Sequence, residues 1–218
     1  MMNLRRIASI AAIMLLAGCE EDKPLAPGPQ PPASSEEFVQ LLAMVYQTQD
    51  YATFSVLFAD DFVFILDMQN PENGETQWDR TTELRLHQRM FVPENIPPDD
   101  PPLDMELWLQ SVTVNLTPEG AFTERFDLYT TAIPPGPYDS NRWIARSATY
   151  GANVFFQLYG ETDFLVIGRA SFTVLEDDTK HIGDPGKFLI VRWEDLGATP
   201  RLAEESGTWG AVKQIFRR

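Results

Sequence analysis

The sequence predicts an α+β fold in which a few helices pack on one face of a curved antiparallel sheet. Three observations carry this expectation. Helical spacing of apolar residues occupies much of 36–91, strand-like alternation runs from Met105 to Glu194, and a last helical pattern closes the chain. At 218 residues and 44% hydrophobic, the chain has the length and composition for one globular domain plus extra segments.

Taken in order, Ser34 and Glu37 have the spacing of a capping box. Phe38, Leu41, Leu42, Val45 and Tyr46 follow at i, i+3, i+4, i+7 and i+8, one stripe of a helix. Asp50 can cap a second, short helix with Tyr51, Phe54, Leu57 and Phe58 on one side. Phe62 to Leu66 reads as a buried strand, and Asn70-Pro71 and Asn73-Gly74 mark the loop after it. Asp79 caps a third helix that ends near Phe91. Five prolines between Pro93 and Pro102 make 92–104 a loop insertion. Beyond it Trp108, Val112, Val114 and Leu116 share one strand parity, as do Phe122, Phe126 and Leu128 on the next run. Trp143–Tyr159 and Phe164–Leu175 form a pair joined at Gly160-Glu161, and Gly168 on the apolar face points to a bulge or a close backbone approach. The last strand, Phe188–Glu194, puts Leu189, Val191 and Trp193 on one side. A terminal helix after Ser206 offers Trp209, Val212 and Phe216, with Arg217 and Arg218 at the end where the helix dipole favours positive charge.

Charge and composition exclude several functions. The net charge is −15, and a nucleic-acid partner would need clustered Lys and Arg, so none is expected. One cysteine and two histidines leave no CxxC zinc or redox site, no internal disulfide and no His-rich metal centre. Acidic clusters around Asp67–Asp79 and Asp99–Asp104 could offer oxygen ligands to calcium, but neither has EF-hand spacing, so solvated charge is expected and no metal or cofactor is implied. No G-x-S-x-G elbow or phosphate-binding glycine loop occurs. Nine acids and no base lie between Glu36 and Asp79, against seven bases and five acids from Lys180 to Arg218. Pairing of the acidic opening helices with the basic C-terminal helix is the plain reading, and a partner surface the sharper one.

Residues 1–19 read as a leader: Arg5 and Arg6, an apolar run from Ile7 to Leu16, then Leu16-Ala17-Gly18-Cys19. The run is too short to span a bilayer, and its end resembles the lipobox of bacterial lipoproteins. That resemblance implies a mature chain beginning at Cys19, thioether-linked to diacylglycerol and carrying three acyl chains such as palmitate, a stable membrane anchor. Glu20 stands where aspartate would be the inner-membrane retention signal. The implied address is therefore the outer membrane facing the periplasm, or the outer face of the cell membrane if the source has only one. Residues 20–35 hold five prolines between Pro24 and Pro32, a tether that at about 3.1 Å per residue reaches roughly 50 Å. The expected layout is a signal peptide over 1–18, lipidated Cys19 and tether over 19–35, and one domain over 36–218.

The order helix, short helix, strand, helix, carried by QTQDYATFSVLFADDFVFIL, resembles the nuclear transport factor 2-like superfamily, a cone-shaped, cystatin-like fold that includes ketosteroid isomerase and SnoaL-like cyclases. The resemblance is strongest over 36–91, continues through IVRWEDL, and extends to the Thr208-Trp209-Gly210 of the terminal helix. It implies a pocket between sheet and helices, and dimerisation through the sheet's outer face. Isomerase members use a tyrosine on the first helix and an aspartate late in the first strand; aligned on Leu57–Asp61, those positions fall on Leu42 and Leu66. Neither aliphatic side chain can polarise a carbonyl or move a proton, and Asp67 sits one residue late, on the other strand face.

His87 is the remaining titratable candidate, in the middle of the apolar arc of Leu84, Leu86, Met90 and Phe91. The default for such a residue is a hydrogen-bonded core histidine; the functional alternative is a general base, paired with Asp67. His181 lies in a turn. Tyr46, Trp108, Phe126, Phe156, Phe172 and Trp193 are the candidates to line an apolar pocket, with core packing as their default role. The expectation is a lipid-anchored, non-catalytic binding or interaction module, with a small apolar ligand in the cone or a homodimer among its partners. The alternatives are an acid–base enzyme using His87 and Asp67, and a structural subunit of an envelope complex.

Overall fold

Side-chain oxygens start each of the three helices in the computed structural model, which describes residues 30–66, 76–96, 100–160, 163–197, 210, 212, 213 and 216. Ser34 Oγ accepts from the Glu37 amide at 3.2 Å and opens α1, Ser35–Thr48. The return bond of the capping box goes one residue further back, from the Ala33 amide to Glu37 Oε2 at 2.7 Å. Asp50 accepts from Thr53 N and opens α2, Tyr51–Ser55. Asp79 accepts from Thr82 N and opens α3, Arg80–Phe91. Cys19 and the leader, Asp67 and its loop, and Trp209 lie outside the described residues. The chain divides into Met1–Gln30 and Pro31–Arg218, and all the described helices and strands belong to the second unit.

The strands are β1, Phe58–Ile65; β2, Gln77–Asp79; β3, Leu109–Pro118; β4, Thr123–Glu124; β5, Trp143–Leu158; β6, Phe164–Asp177; and β7, Phe188–Asp195. They form one sheet in the order β2-β1-β7-β6-β5-β3, with β4 also on β5. All pairings are antiparallel except β1 with β7, which is parallel. Helix α1 packs on β3 and β6, and α3 on β1. The fold is therefore α+β, with helices on one face of a curved, mainly antiparallel sheet.

Between helices and sheet lies the main core, with Phe38, Leu42, Tyr46, Phe54, Phe64, Phe156, Phe172 and Trp193 all buried. A second cluster of Ala59, Tyr129, Ala145, Leu175 and Val191 is packed by Leu128, Tyr138, Trp143 and Leu189. Successive strand residues point to opposite faces, so Ala145 and Leu175 place this cluster on the sheet's outer side.

Four expectations change. The first strand begins at Phe58, so Phe58 is sheet and not helix, and the short β2 pairs Trp78 with Phe64. The run from Phe122 to Leu128 is a strand only over Thr123–Glu124. Arg125 and Asp127 then pair locally at 2.8 Å and the chain turns through a 3-10 helix at Phe126–Leu128, leaving Phe126 68% exposed. The β5–β6 ladder passes Gly168 in step, opposite Ala152. The irregularity lies instead between β6 and β7, where Val174 pairs Ile190 and Thr173 pairs Arg192. Val191 is the extra residue, and an extra residue reverses parity. Leu189 and Val191 thus join the outer cluster while Trp193 turns into the core.

Candidate functional site

Glu83 and His87 stand four residues apart on α3 and so project from one side of it. Both have 0% exposure, and residues Tyr46, Phe54 and Phe91 surround the imidazole. The His87 ring stacks on Phe54 with centroids 4.0 Å apart. Its Nδ1–H donates to the Glu83 carbonyl oxygen at 2.8 Å, and the Tyr46 hydroxyl donates a short hydrogen bond to Nε2. Both ring nitrogens are thereby used, which defines a neutral Nδ1–H tautomer. Burial, with help from the nearby Lys213 ammonium, holds its pKa well below the ordinary imidazole value, against the Glu83 carbonyl bond that favours the charged form.

Next to this pair lies a buried ion pair. Glu83 Oε1 accepts from Lys213 Nζ at 2.5 Å and Oε2 from the Trp78 indole N–H at 2.6 Å. Lys213 is 1% exposed, and its ammonium lies 3.7 Å from the ring centroids of both Phe64 and Trp193. Desolvation outweighs the attraction of Glu83 and Asp195 and pulls the lysine down to about 8. Asp195 accepts from the amides of Gly197 at 3.0 Å and Gly210 at 2.7 Å, tying the C-terminal segment to the end of β7. A Cβ on Gly210 would meet Leu66 Cδ2 at 2.4 Å, so any other residue there would have to push the Leu66 side chain aside.

The candidates from the sequence fall into three groups. Tyr46, His87, Phe172 and Trp193 come together, with Phe172 and Trp193 centroids 5.0 Å apart and Tyr46 and Trp193 6.0 Å. Each has 0% exposure, and a side chain without accessible surface borders no water-sized space, open or enclosed. Phe156, at 1%, is packed likewise. Trp108 is half-buried at the rim, its indole N–H donating to Leu103 O at 3.1 Å. Phe126 is the outlier, on the exposed 3-10 turn. Of the six pocket candidates, four are core, the default role for such residues, one is at the rim and one is surface. Leu42 and Leu66 are buried at the helix–sheet interface. Asp67, proposed as the partner of His87, lies outside the described residues; Tyr46 and Glu83 are the partners observed.

Among the cavities bounded by described residues are three of about 200, 180 and 460 Å³, none of them lined by His87. The largest of these three lies between the start of α1 and β5, beside Ser35, Glu36, Phe122 and Arg146. Among the described residues no group of three or more His, Cys, Asp or Glu could hold a metal ion, and no helix is long and apolar enough to cross a membrane. Asp100, from the acidic proline-rich loop, instead forms a bidentate pair with Arg85.

Sequence reasoning missed Glu83, Lys213, Trp78 and Asp195. The signal was spacing: Glu83 lies one helical turn before His87, and Lys213 sits between Val212 and Phe216. A charge on each of two apolar helical faces, opposite in sign, is what a buried pair looks like in one dimension. Among the described residues, the basic C-terminal segment pairs with acid on α3, through Lys213 and Glu83.

No protein-family model matches the chain, and no curated protein matches it. Among solved structures it is similar to a conserved protein from Planctomyces limnophilus, at 10% identity and TM-score 0.47, covering 73% of this chain and 90% of that one. A nuclear transport factor 2-like protein of unknown function in nutrient uptake from Rhodospirillum rubrum shows 14% identity and TM-score 0.40, over 74% and 95%. The β subunit of benzoate 1,2-dioxygenase from Burkholderia mallei shows 10% identity and TM-score 0.44, over 73% and 85%. At these identities and scores the likeness extends to no activity, ligand or partner.

Proposed function

We propose that the chain is a lipid-anchored module of the bacterial envelope that works through its surface and not through its interior, on a nuclear transport factor 2-like cone. The observation that carries this is the sealed acid–base set. Tyr46, His87 and Glu83 converge but have no accessible surface, and both imidazole nitrogens are already bonded. A general base must reach its substrate within hydrogen-bond distance, and a small ligand needs a cavity to enter. The anchor reading rests on the lipobox at Cys19 and on the proline-rich tether, and places the domain on the periplasmic side of the outer membrane.

Fractionation of a diderm host expressing the full chain tests the address. The wild-type protein is expected in the membrane fraction with incorporated palmitate, and Cys19→Ala in the soluble fraction without label. Palmitate incorporation unchanged by Cys19→Ala would end the lipoprotein reading. For the partner we propose a second copy, meeting through the outer face of the sheet, where the directly paired Phe155 and Leu165 are each 39% exposed. Native mass spectrometry should show a dimer that Phe155→Glu dissociates; a monomer at tens of micromolar leaves the surface to another partner. The convergence of Tyr46 and His87 also favours a second reading, an acid–base enzyme whose interior opens on binding. Uptake of an apolar ligand that perturbs the His87 ring signals in an NMR spectrum would support it.

A further inference from the structure

The cavity of about 460 Å³ between the start of α1 and β5 lies within the roughly 300–1,000 Å³ range of small-molecule sites. Its sheet wall is positive. Ile144 and Arg146 share the parity of Ala148 and Tyr150 on β5, so they face the helices and not the outer side of the sheet. Arg146 Nη1 donates to Glu176 Oε2 at 3.2 Å, and Lys187 Nζ lies 3.0 Å from Glu176 Oε1. Two cations thus share one carboxylate. The Arg146 side chain is 39% exposed and has further guanidinium N–H groups to give. The helix wall is the first turn of α1. There the Ser34 hydroxyl and carbonyl take the Glu37 and Phe38 amides, and those of Ser35 and Glu36 have no intrahelical acceptor. Glu37 turns back onto the Ala33 amide, whereas the exposed Glu36 borders the cavity. Ser35 borders it too, is 5% exposed, and has no hydrogen-bond partner for its Oγ among the described residues. A buried hydroxyl in that state carries a desolvation cost that a ligand atom in the cavity would offset.

We propose that this cavity binds zwitterionic α-amino acids that carry an apolar side chain. The carboxylate is held between Arg146 and the first turn of α1, where a guanidinium and two amide N–H groups favour an anion. The Ser35 hydroxyl donates to the same carboxylate from a rotamer turned into the cavity. Glu36 accepts from the ammonium, and Phe122 and Ile144 cover the side chain. A simple anion would be repelled by Glu36 and a simple cation by Arg146. Only a ligand with both charges satisfies both groups. The site goes beyond the surface reading above, lying away from His87 and on the opposite side of the sheet from Phe155 and Leu165. Its failure leaves the anchor and the dimer untouched.

Calorimetry on the full chain at pH 7, with L-phenylalanine as the probe, tests this. One saturable site per chain is expected. Hydrocinnamate, which lacks the ammonium, and phenethylamine, which lacks the carboxylate, should each bind about tenfold more weakly or worse. No saturable heat up to about 10 mM, or all three ligands bound alike, overturns the proposal. Glu36→Gln changes an exposed side chain and should weaken L-phenylalanine about tenfold while tightening hydrocinnamate. A general loss of structure cannot produce that crossed change. Ser35→Ala should lower the affinity for L-phenylalanine about threefold to tenfold while the urea midpoint holds or rises, because an unpartnered hydroxyl is removed. Arg146→Gln should abolish binding of both carboxylates; if it does not fold, the Glu36 and Ser35 variants decide. Affinities unchanged in those two variants place L-phenylalanine elsewhere and overturn the site.

Discussion

On the ring of His87 the Tyr46 hydroxyl and the Glu83 carbonyl take one nitrogen each, so adding a proton reverses the Tyr46 bond and places a charge inside a dry core. The folded imidazole protonates well below its ordinary value of 6.5, the unfolded one near it. Between those pH values the unfolded chain holds more protons, so stability rises with pH there and falls as pH drops below 6.5. The slope is at most about 1.4 kcal/mol per pH unit. Urea midpoints from pH 7.5 to 5 should show it in the wild type and lose it in His87→Gln; a slope surviving that change belongs to another group. Glu83 and Lys213 behave as a unit. Removing either partner leaves a buried charge and should cost about 3–5 kcal/mol, whereas Glu83→Leu with Lys213→Met should recover most of it. Denaturation of the three variants measures this, and purely additive losses would contradict it. Tyr150 is different: its hydroxyl is buried without a hydrogen-bond partner in the described structure, and burial raises it to about 12. Tyr150→Phe removes an unsatisfied polar group and should leave stability equal or higher by about 1 kcal/mol. A clear loss in a urea melt would reveal a bond to that hydroxyl.

At the scale of elements, the caps of all three helices were legible, because Ser34, Asp50 and Asp79 each satisfy an amide only a few residues away. Asp79 also opens the helix that carries Glu83 and His87. The Thr82 amide and hydroxyl hold its carboxyl below the usual range, so its contribution is present above about pH 4 and fades as pH falls through the folded value. Asp79→Ala should cost about 1 kcal/mol at pH 7, with the difference shrinking towards pH 3. Equal loss at both pH values would place the effect elsewhere. What the sequence did not reveal has a common physical origin. The reversal of β7 at Val191 depends on pairing with β6, and the 3-10 turn at Phe126 depends on a chain leaving the sheet to cover its outer face. Alternation along one strand carries no information about an insertion seen only from its neighbour. Buried charges escaped for the same reason: the apolar stripe of α3 identified His87 as inward-facing, but Glu83 beside it reads as surface until Lys213 is known to meet it.

Over the whole molecule, the interior is completed by the last residues of the chain. Val212 and Phe216 are 2% and 0% exposed, and the Lys213 ammonium fills the space between Phe64 and Trp193. Truncation after Trp209 should uncover those faces and leave Glu83 without its counter-charge. The truncated protein should bind an apolar fluorescent dye that the full chain ignores, and equal fluorescence in both would show that the interior closes without its end.

The parallel pairing of β1 with β7 has a consequence in time. Phe64 finds its neighbour Trp193 across 129 residues of chain, so one edge of β1 stays unsatisfied until residue 195 has been made. Such long-range pairing slows folding, because loop closure precedes the contacts that reward it. A chain emerging from its N-terminus therefore cannot finish its sheet early. The β1 edge is completed only once residue 195 has been made and β7 can lie beside it.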